Sequence, residues 1–430
     1  METGQTRRLF YENVYLKEFA AAVLTTGEDE HGTYILLDQT AFYPEGGGQP
    51  SDRGYLYLDG EEKDRASGVP RGEAAPREPE DLTDLGTGHE VRSLHVWNVQ
   101  YAGEEIRHYV ESLPEKCLRE GDRVRGVIDW ERRFDLMQQH SGEHIVSGFI
   151  HRKFGYDNVG FHMGEDVITI DTNGLLDEEQ LRQIEKEVND YIWSGRHTKV
   201  FFPDGEEREA LPYRSKKELT GQVRLVEFPG GDLCACCGLH VETTGEIGLV
   251  KLLSAKHFRE GVRIEMVAGK RALRLLHGHL SSNMQVAEML SVKPDGTPAA
   301  VQRLLDEIYA LKGQIIHLRE EQSAMRAAQC EGKGDVLLFE QGLDAAAVRK
   351  EADRILDVCG GICAVLSLDE TGGRYAVGQR NGNVRELIGE MNAALSGKGG
   401  GKPEFAQGSL QAGREEIEAF FAARGFTICS

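Results

Sequence analysis

The stretch Met137-Gln-Gln-His-Ser-Gly-Glu-His-Ile145 lies in a run of residues that is typical of a helix. Asp129 offers an N-cap for this helix, which we expect to reach about Arg152. His140 and His144 are four residues apart, close to one helical turn, so both imidazole rings leave the same face with their Cβ atoms roughly 5–6 Å apart. That separation suits two nitrogen ligands of one metal ion.

A second pair with the same spacing follows much later, in Cys236-Cys-Gly-Leu-His240. The two pairs are too far apart in the chain for a zinc finger, so the metal would join a helix to a loop across a whole domain. Cys234 and Cys237 compete as ligands, but only Cys236 stands four residues before His240. The sequence therefore predicts one Zn²⁺ site, with the ligands His140, His144, Cys236 and His240.

The stretch His140-Ser-Gly-Glu143-His144 also matches the H-x-x-E-H signature of inverted zincin peptidases, in which the glutamate is the general base. That signature needs a third ligand, normally a carboxylate on another helix. The strong downstream candidates here are a cysteine and a histidine in a glycine-containing loop. A metallopeptidase with Glu143 as its base is therefore the second hypothesis.

Three consecutive glycines, Gly46, Gly47 and Gly48, lie between two short segments with strand character. Glycine permits backbone conformations that other residues do not adopt, and it lets another chain approach closely. The stretch is either an ordinary hairpin loop or a loop that cradles a phosphate or the 3′ end of an RNA. In the second interpretation, Gly46, Gly47, Gly48 and Gln49 bind the substrate.

The composition is that of a globular protein with several domains. The chain has 430 residues, 40% of them hydrophobic, and a formal net charge of −21. We expect no membrane span, because no apolar run approaches about 18 residues, and a cytoplasmic location, because the first residues do not resemble a signal peptide. The negative charge argues against a general binder of polyanions. Eight cysteines are too sparse for a disulfide framework, so the cluster at 234–237 indicates metal or redox chemistry.

The pattern of strands and helices predicts a multidomain α+β protein. Residues 1–95 read as a β-barrel-like domain that carries the glycine-rich loop, with a charged surface loop at 61–88. Residues 96–268 mix strands with amphipathic helices and hold the predicted zinc ligands. Residues 269–332 read as a helical linker, and residues 333–430 as an α/β C-terminal domain.

The linker carries apolar residues at alternating steps of three and four: Val301, Leu304, Ile308, Leu311, Ile315 and Leu318. Such a seam is typical of the a and d positions of heptads. A helical hairpin packed on itself and a dimeric coiled coil satisfy it equally well. A homodimer through the linker or the C-terminal domain is therefore one of the expected arrangements.

Four motifs follow one another along the chain: Phe42-Tyr-Pro-Glu-Gly-Gly-Gly-Gln-Pro-Ser-Asp52, His140-x-x-x-His144, Cys236-x-x-x-His240-Val241 and Gly261-Val-Arg-Ile-Glu265. Together they resemble the alanyl-tRNA editing proteins, often called AlaX, the stand-alone relatives of the editing domain of alanyl-tRNA synthetase. The glycine-rich block at 399–408 is similar to the DHH-associated domain that ends the synthetase and the long form of these relatives. No motif for amino-acid activation precedes the glycine-rich loop, so the resemblance implies a hydrolase rather than a ligase.

This resemblance implies a zinc-dependent aminoacyl-tRNA hydrolase, an ester hydrolase that deacylates alanine tRNA wrongly carrying serine or glycine. It makes 96–268 an editing domain and 333–430 a DHH-associated domain, with mischarged tRNA as the partner. If all four side chains bind zinc, the position for a water is closed and the ion mainly positions groups. Whether zinc instead activates the water stays open.

Three polar residues are candidates for catalysis beside the metal. Glu143 points about 100° away from His144 on an ideal helix, so a solvated glutamate is an equal interpretation. In the resemblance, Asn158 and His162 fall by order along the chain where related editing sites place polar groups near the misplaced side chain. Asn158 is expected to pair with a serine hydroxyl that alanine lacks, a contact that discriminates well. Ordinary loop polarity is the alternative for both residues.

Two zones are locally basic although the whole chain is acidic. Residues 251–274 hold seven Lys/Arg against two Glu, and residues 371–402 hold five against two. Such zones can contact tRNA phosphates at two points, with Arg263, Lys398 and Lys402 as candidates. A normal mixed surface is the alternative. A non-catalytic tRNA-binding protein with a structural zinc is the third hypothesis.

Overall fold

The computed structural model describes residues 6–58, 93–111, 113, 118–215, 222–369 and 372–429. The surface loop predicted at 61–88 lies outside this part of the chain. Contacts divide the chain into two units, Met1–Ser282 and Asn283–Ser430, and each is described by itself. Helices and sheets in both units confirm the predicted multidomain α+β class. No helix among the described residues is long and apolar enough to cross a membrane.

The elements up to residue 128 are mostly strands. They are β1 Arg7–Arg8, α1 Leu9–Glu12, β2 Glu18–Asp29, β3 Gly32–Leu37, β4 Gln39–Thr40, β5 Gly54–Leu58, β6 Ser93–Ala102, β7 Glu105–Val110 and β8 Arg123–Ile128. The strand order β2-β3-β7-β6-β5-β8 closes a barrel, while β1 pairs with β4 in parallel. Alternate residues of β2 (Phe19, Ala21 and Val23) are buried, as the two-residue period of a strand requires. The barrel strands continue past residue 95 to Ile128; the domain boundary at 95 stays a prediction.

The rest of the first unit combines helices with two antiparallel sheets. Its elements are α2 Trp130–Phe154, β9 Asn158–Met163, β10 Ile168–Thr172, α3 Glu178–Trp193, β11 Lys199–Phe201, α4 Gly205–Ala210, β12 Leu225–Phe228, β13 Asp232–Ala235, β14 Val250–Phe258 and β15 Gly261–Ala268. One sheet has the order β14-β15-β10-β9 and the other β11-β12-β13. Buried side chains from Phe10 to Ala268 form one hydrophobic core, so the barrel and these sheets share an interior.

Helix α2 runs through this shared core. The side chain of Asp129 accepts a hydrogen bond from the backbone N–H of Arg132 at 3.1 Å, which confirms the predicted N-cap, and Gly155 ends the helix with φ +72°. Every residue from Leu136 to Ile150 is buried. Because the helix has no solvated face along this length, its polar side chains need partners inside the protein.

A fully buried ion pair attaches α2 to the glycine-rich loop. Nε of Arg133 donates to both carboxylate oxygens of Asp52, at 2.8 and 2.9 Å, and Nη2 also contacts this carboxylate. The same guanidinium donates to the backbone oxygens of Val14 at 3.0 Å and Ala41 at 2.6 Å. Asp52 in turn accepts from the backbone N–H of Tyr43 at 2.6 Å. The pair therefore ties the helix to both ends of the loop.

The second unit is built on one mixed sheet. Helix α5 Gly269–Met289 crosses the boundary between the units, and the later elements are α6 Thr297–Gln329, β16 Gly334–Gln341, α7 Ala345–Leu356, β17 Gly360–Asp369, β18 Gly372–Gln379, α8 Arg385–Ala394, β19 Lys398–Lys402, β20 Phe405–Leu410, α9 Arg414–Ala422 and β21 Thr427–Cys429. The strand order is β19-β20-β18-β17-β16-β21. Leu337 belongs to one buried cluster and its neighbours Val336 and Leu338 to another, so the sheet is covered on both faces.

The apolar seam predicted in the linker lies on α6. Its six side chains are exposed, from 42% at Val301 to 62% at Leu318. The described residues of this chain therefore leave the seam uncovered, and the dimeric coiled coil stays a prediction.

Replacing Asp52 by Asn should lower the free energy of unfolding by about 3–5 kcal/mol, because the Arg133 guanidinium would stay buried without its counter-charge. Denaturant unfolding followed by circular dichroism measures the loss. Asp190→Asn is the matched control, since Asp190 pairs with Lys186 at the surface, where ion pairs contribute little. An Asp52→Asn variant as stable as this control would contradict the role given to the buried pair.

Candidate metal centre

Two segments supply the four predicted ligands. Helix α2 carries His140 and His144, and the loop after β13 carries Cys236 and His240. One potential ligand atom from each of the four lies within 4.8 Å of the others. The loop passes so close to the helix that a Cβ at Gly238 would lie 2.1 Å from Cε1 of His140, so only glycine fits between the two ligands of the loop. The structure thus brings together all four residues that the spacing singled out.

Hydrogen bonds orient the two helical histidines. Nδ1 of His144 lies 3.0 Å from Oδ2 of Asp232, and Nδ1 of His140 lies 3.0 Å from Oε1 of Gln49. These contacts leave the Nε2 atoms free to face the cluster formed by His140, His144, Cys236 and His240. Within this cluster, Nε2 of His140 is 3.4 Å from Sγ of Cys236. Arg214 holds Asp232 in place through Nε at 2.7 Å and Nη2 at 2.8 Å. Metal-bound histidines in proteins are commonly oriented by partners of this kind.

The donor set of the cluster fits a metal ion. Both ring nitrogens of His240 are buried and have no hydrogen-bond partner among the described residues, which is rare for buried polar atoms. Burial lowers the pKa of His240 to about 3, so the ring is neutral at pH 7, the form that binds metal. Burial favours the neutral thiol of Cys236, but His140 and His144 outweigh it and hold the pKa of Cys236 well below its usual value, which favours the thiolate.

His144 and Asp232 form a buried pair of opposite charge beside the other candidate ligands. Burial lowers the pKa of His144, but Cys236 and Asp232 outweigh it and raise the pKa to about 10. Burial opposes ionisation of Asp232, yet His144 and Arg214 keep the pKa of its carboxyl below the usual value. A metal ion on Nε2 of His144 would therefore replace a proton of the ring.

A cavity of about 340 Å³ opens onto the cluster. Its wall includes Phe161, whose ring stacks on His140 with 5.5 Å between centroids, and the turn formed by Gly47 and Gly48. The two glycines have φ of +61° and +82°, and a Cβ at Gly48 would lie 2.6 Å from Cδ1 of Phe161. Gly46 and Gln49 close the turn with backbone hydrogen bonds of 3.1 and 2.9 Å. The glycine stretch is thus a tight hairpin turn that also lines the cavity.

The side chain of Gln49 contacts both segments that carry the candidate ligands, and the substrate contact expected for this residue stays a prediction. Its Oε1 atom lies 3.0 Å from Nδ1 of His140 and accepts a hydrogen bond from the backbone N–H of Leu239 at 2.9 Å. Gln49 is fully buried. It therefore joins the glycine-rich turn to both segments that supply ligands.

Glu143 lies on the cavity wall, and Asn158 lies behind it. Oε1 of Glu143 accepts hydrogen bonds from Oγ of Ser147 at 2.7 Å and from Nδ2 of Asn158. Nδ2 of Asn158 also donates to Oγ of Ser147 at 3.1 Å, and Oδ1 accepts from the backbone N–H of Gly160 at 3.1 Å. The amide N–H groups of Asn158 are thus engaged inside the protein, because the strand register buries this residue.

The remaining predicted site residues are His162, Arg263, Lys398 and Lys402. His162 is exposed on β9 and is not among the described residues that line the cavity. Arg263 forms two hydrogen bonds with Asp171, at 2.6 and 2.7 Å. Lys398 and Lys402 are exposed at the two ends of β19, an edge strand of the second unit.

The sequence patterns predicted no role for four side chains of the site: Ser147, Phe161, Arg214 and Asp232. Ser147 stands four residues after Glu143, a helical spacing that pairs side chains, and Asp232 stands two residues before Cys234. These two spacings could have predicted that Ser147 and Asp232 lie at the site.

The peptidase hypothesis needs a carboxylate on the metal, whereas the Asp232 carboxylate is engaged by Nδ1 of His144 and by Arg214.

Two domain families match parts of the chain. The threonyl and alanyl tRNA synthetase second additional domain matches residues 223–265, which include Cys236 and His240, and the DHHA1 domain matches residues 328–424. The C-Ala domain from Aquifex aeolicus alanyl-tRNA synthetase is a similar solved structure, with 23% identity over 22% of this chain and 94% of that one. Its TM-score is 0.20, so it adds nothing to the assignment.

Curated relatives match almost the whole chain. Alanine–tRNA ligase of Methanoregula boonei is 30% identical over 96% of this chain and 44% of the ligase, and that of Methanocorpusculum labreanum is 32% identical over 94% and 42%. The chain thus spans less than half the length of these relatives. By the two domain matches and these relatives, the chain belongs with the AlaX-like alanyl-tRNA editing proteins and is related to the editing domain of alanyl-tRNA synthetase.

Proposed function

We propose that the protein is a hydrolase that acts in trans on mischarged alanine tRNA and releases serine or glycine. One observation carries the proposal: four ligand side chains from two distant segments converge at the cavity beside the glycine-rich turn. The ester to be cleaved links the amino acid to the ribose of the terminal adenosine. A cavity of about 340 Å³ can admit the aminoacyl group, and a turn without side chains lets the RNA end approach.

Zn²⁺ is the metal we propose for the cluster. One thiolate and three imidazoles are the ligand types of tetrahedral zinc sites, and the donor atoms are already close together. When bound, zinc would supply a Lewis acid that orients or polarises the aminoacyl ester. Gln49 and Asp232 would help to hold the ion by fixing the rings of His140 and His144 through their Nδ1 atoms.

Glu143 is the residue we propose as general base. Its carboxylate lies on the cavity wall and is held there by hydrogen bonds from Ser147 and Asn158. In this role it accepts a proton from the water that attacks the ester carbonyl and returns that proton to the ribose oxygen as the bond between this oxygen and the carbonyl carbon breaks. Asn158 then acts through Glu143 as a positioning residue, since its amide N–H groups are engaged with Glu143 and Ser147.

The tRNA partner and a homodimer complete the proposal. Lys398 and Lys402 are the favoured phosphate contacts, because three glycines between them leave the edge strand open to an RNA backbone. Arg263 is a weaker candidate, since Asp171 already engages its guanidinium.

The exposed apolar seam of α6 favours pairing with a second copy through a coiled coil.

Purified protein should release serine from seryl-tRNA(Ala), or glycine from glycyl-tRNA(Ala), and should spare alanyl-tRNA(Ala). Acid-precipitable radiolabelled amino acid, followed over time, measures the reaction. Buffer alone and the alanyl ester are the controls. Binding of tRNA with no hydrolysis of either mischarged ester would contradict the editing proposal and support a non-catalytic tRNA-binding protein with a structural zinc.

Cys236→Ala should lower the bound zinc well below one ion per chain, because it removes the only thiolate of the ligand set. Elemental analysis of the purified protein measures the metal. Cys237→Ala is the matched control, since the adjacent cysteine lies outside the cluster of four. Equal zinc in the two variants would exclude the four-ligand site.

Glu143→Gln should lower kcat for serine release by about 10²–10⁴-fold, the usual contribution of a general base, with zinc content unchanged. Glu131→Gln alters an exposed glutamate of the same helix and serves as the control. Single-turnover kinetics with seryl-tRNA(Ala) and elemental analysis are the two measurements. A kcat within twofold of the control would contradict the role of Glu143.

A further inference from the structure

A second cavity lies in the C-terminal unit, away from the metal cluster in sequence. It has a volume of about 670 Å³, and most of its wall comes from α6, β16 and α7. This volume is in the range of small-molecule sites, which is roughly 300–1,000 Å³. The wall combines two buried acids, half-buried apolar side chains and a larger number of basic side chains.

Besides Glu340, which is 6% exposed, the wall holds a second buried acid, Glu351 on α7, which is 7% exposed. Its Oε2 accepts a hydrogen bond from Oγ of Ser323, while Oε1 has no hydrogen-bond partner among the described residues. The neighbouring Glu340 forms an ion pair with Arg326. A buried carboxylate oxygen without a donor is unfavourable, so Oε1 of Glu351 is where a bound molecule would place an N–H group.

The apolar part of the wall suits a flat ring. Phe339, Leu343 and Leu368 are half-buried there. The guanidinium of Arg414 lies over the Phe339 ring, 4.5 Å from its centroid. Nucleic-acid bases stack on aromatic rings and on arginine guanidinium planes in just such surroundings.

The charges on the wall favour an anion. Five basic side chains face three acidic ones: Arg319, Arg326, Lys350, Arg354 and Arg414 against Glu320, Glu340 and Glu351. Lys350 lies 3.2 Å from Oε1 of Glu320, and Arg354 donates to the backbone oxygen of Glu320 at 3.1 Å. Arg326 is paired with Glu340, and Arg414 is paired with Glu418, which lies outside the wall, at 2.7 Å. Arg319 and Arg354 form no ion pair among the described residues, so their charges are the ones that would attract a phosphate group.

We propose that this cavity binds a nucleotide whose base carries an amino group. The base lies against Phe339 and donates an N–H to Glu351, and the phosphate contacts Arg319, Lys350 and Arg354. A free amino acid also joins an amine to an anion, but it would leave most of the volume and the apolar surface unused. The source of the nucleotide rests on the proposed function: an unpaired nucleotide of the bound tRNA has the required chemistry, as does a free nucleotide.

Calorimetric titration of the full chain with adenosine 5′-monophosphate tests the site. Purine riboside 5′-monophosphate, which lacks the amino group, should bind about tenfold more weakly, because Glu351 would stay unpaired. Glu351→Gln should weaken adenosine monophosphate binding about fivefold and reduce that preference, since a neutral amide is the weaker acceptor. Glu331→Gln, which removes an exposed carboxylate of the same unit, should leave both affinities unchanged.

A rim variant keeps the test valid if Glu351→Gln does not fold. Arg319→Gln, at an exposed residue, should weaken both nucleotides equally and retain the preference between them. Displacement of the bound nucleotide by uncharged tRNA assigns the source to tRNA, and binding without displacement assigns it to a free nucleotide. Equal binding of both nucleotides, no binding, or displacement by serine or alanine overturns the proposal. Nucleotide binding by a protein that releases no serine would contradict the editing function alone.

Discussion

The buried pair of Arg133 and Asp52 fixes how helix α2, which carries His140 and His144, meets the glycine-rich turn at the candidate site. Arg133 lies on the helix seven residues before His140, and Asp52 lies three residues after Gln49. Because both side chains are fully buried and joined by several hydrogen bonds, neither segment can shift without exposing or unpairing a charge. The same constraint places Gln49 at 3.0 Å from His140 and the Gly47–Gly48 turn at the cavity wall.

Helix α2 carries two of the four candidate ligands and also runs through the hydrophobic core. Since α2 is buried on all sides from Leu136 to Ile150, the polar side chains of this stretch pair with other segments. Gln139 exchanges two hydrogen bonds of 2.8 Å with the backbone of Ala268, and Ser141 accepts from the backbone N–H of Val241 at 3.1 Å. His144 pairs with Asp232 in the same way. The candidate ligands are therefore preorganised by contacts that the folded core already requires.

Local patterns predicted the helix and its ligands, because helical spacing and capping depend on residues a few positions apart. Asp129 and the pair His140/His144 are examples. The roles of Asp232, Arg214 and Gln49 depend on contacts between segments far apart in sequence, which spacing does not encode. The substrate contact expected for Asn158 stays a prediction, and its spacing could not show that the register of its strand buries it behind Glu143. The basic zone at 251–274 is largely paired with acids, as Lys251 with Glu185 shows, and a count of charges does not reveal such pairing.

The central claim is that ester hydrolysis depends on one metal ion held by His140, His144, Cys236 and His240. The most direct measurement is the rate of serine release from seryl-tRNA(Ala) by protein stripped of metal and then titrated with Zn²⁺. We predict a rate that starts near background, rises in proportion to added zinc and levels off at one ion per chain. A rate that is the same before and after stripping, or that keeps rising well beyond one ion, would contradict the claim.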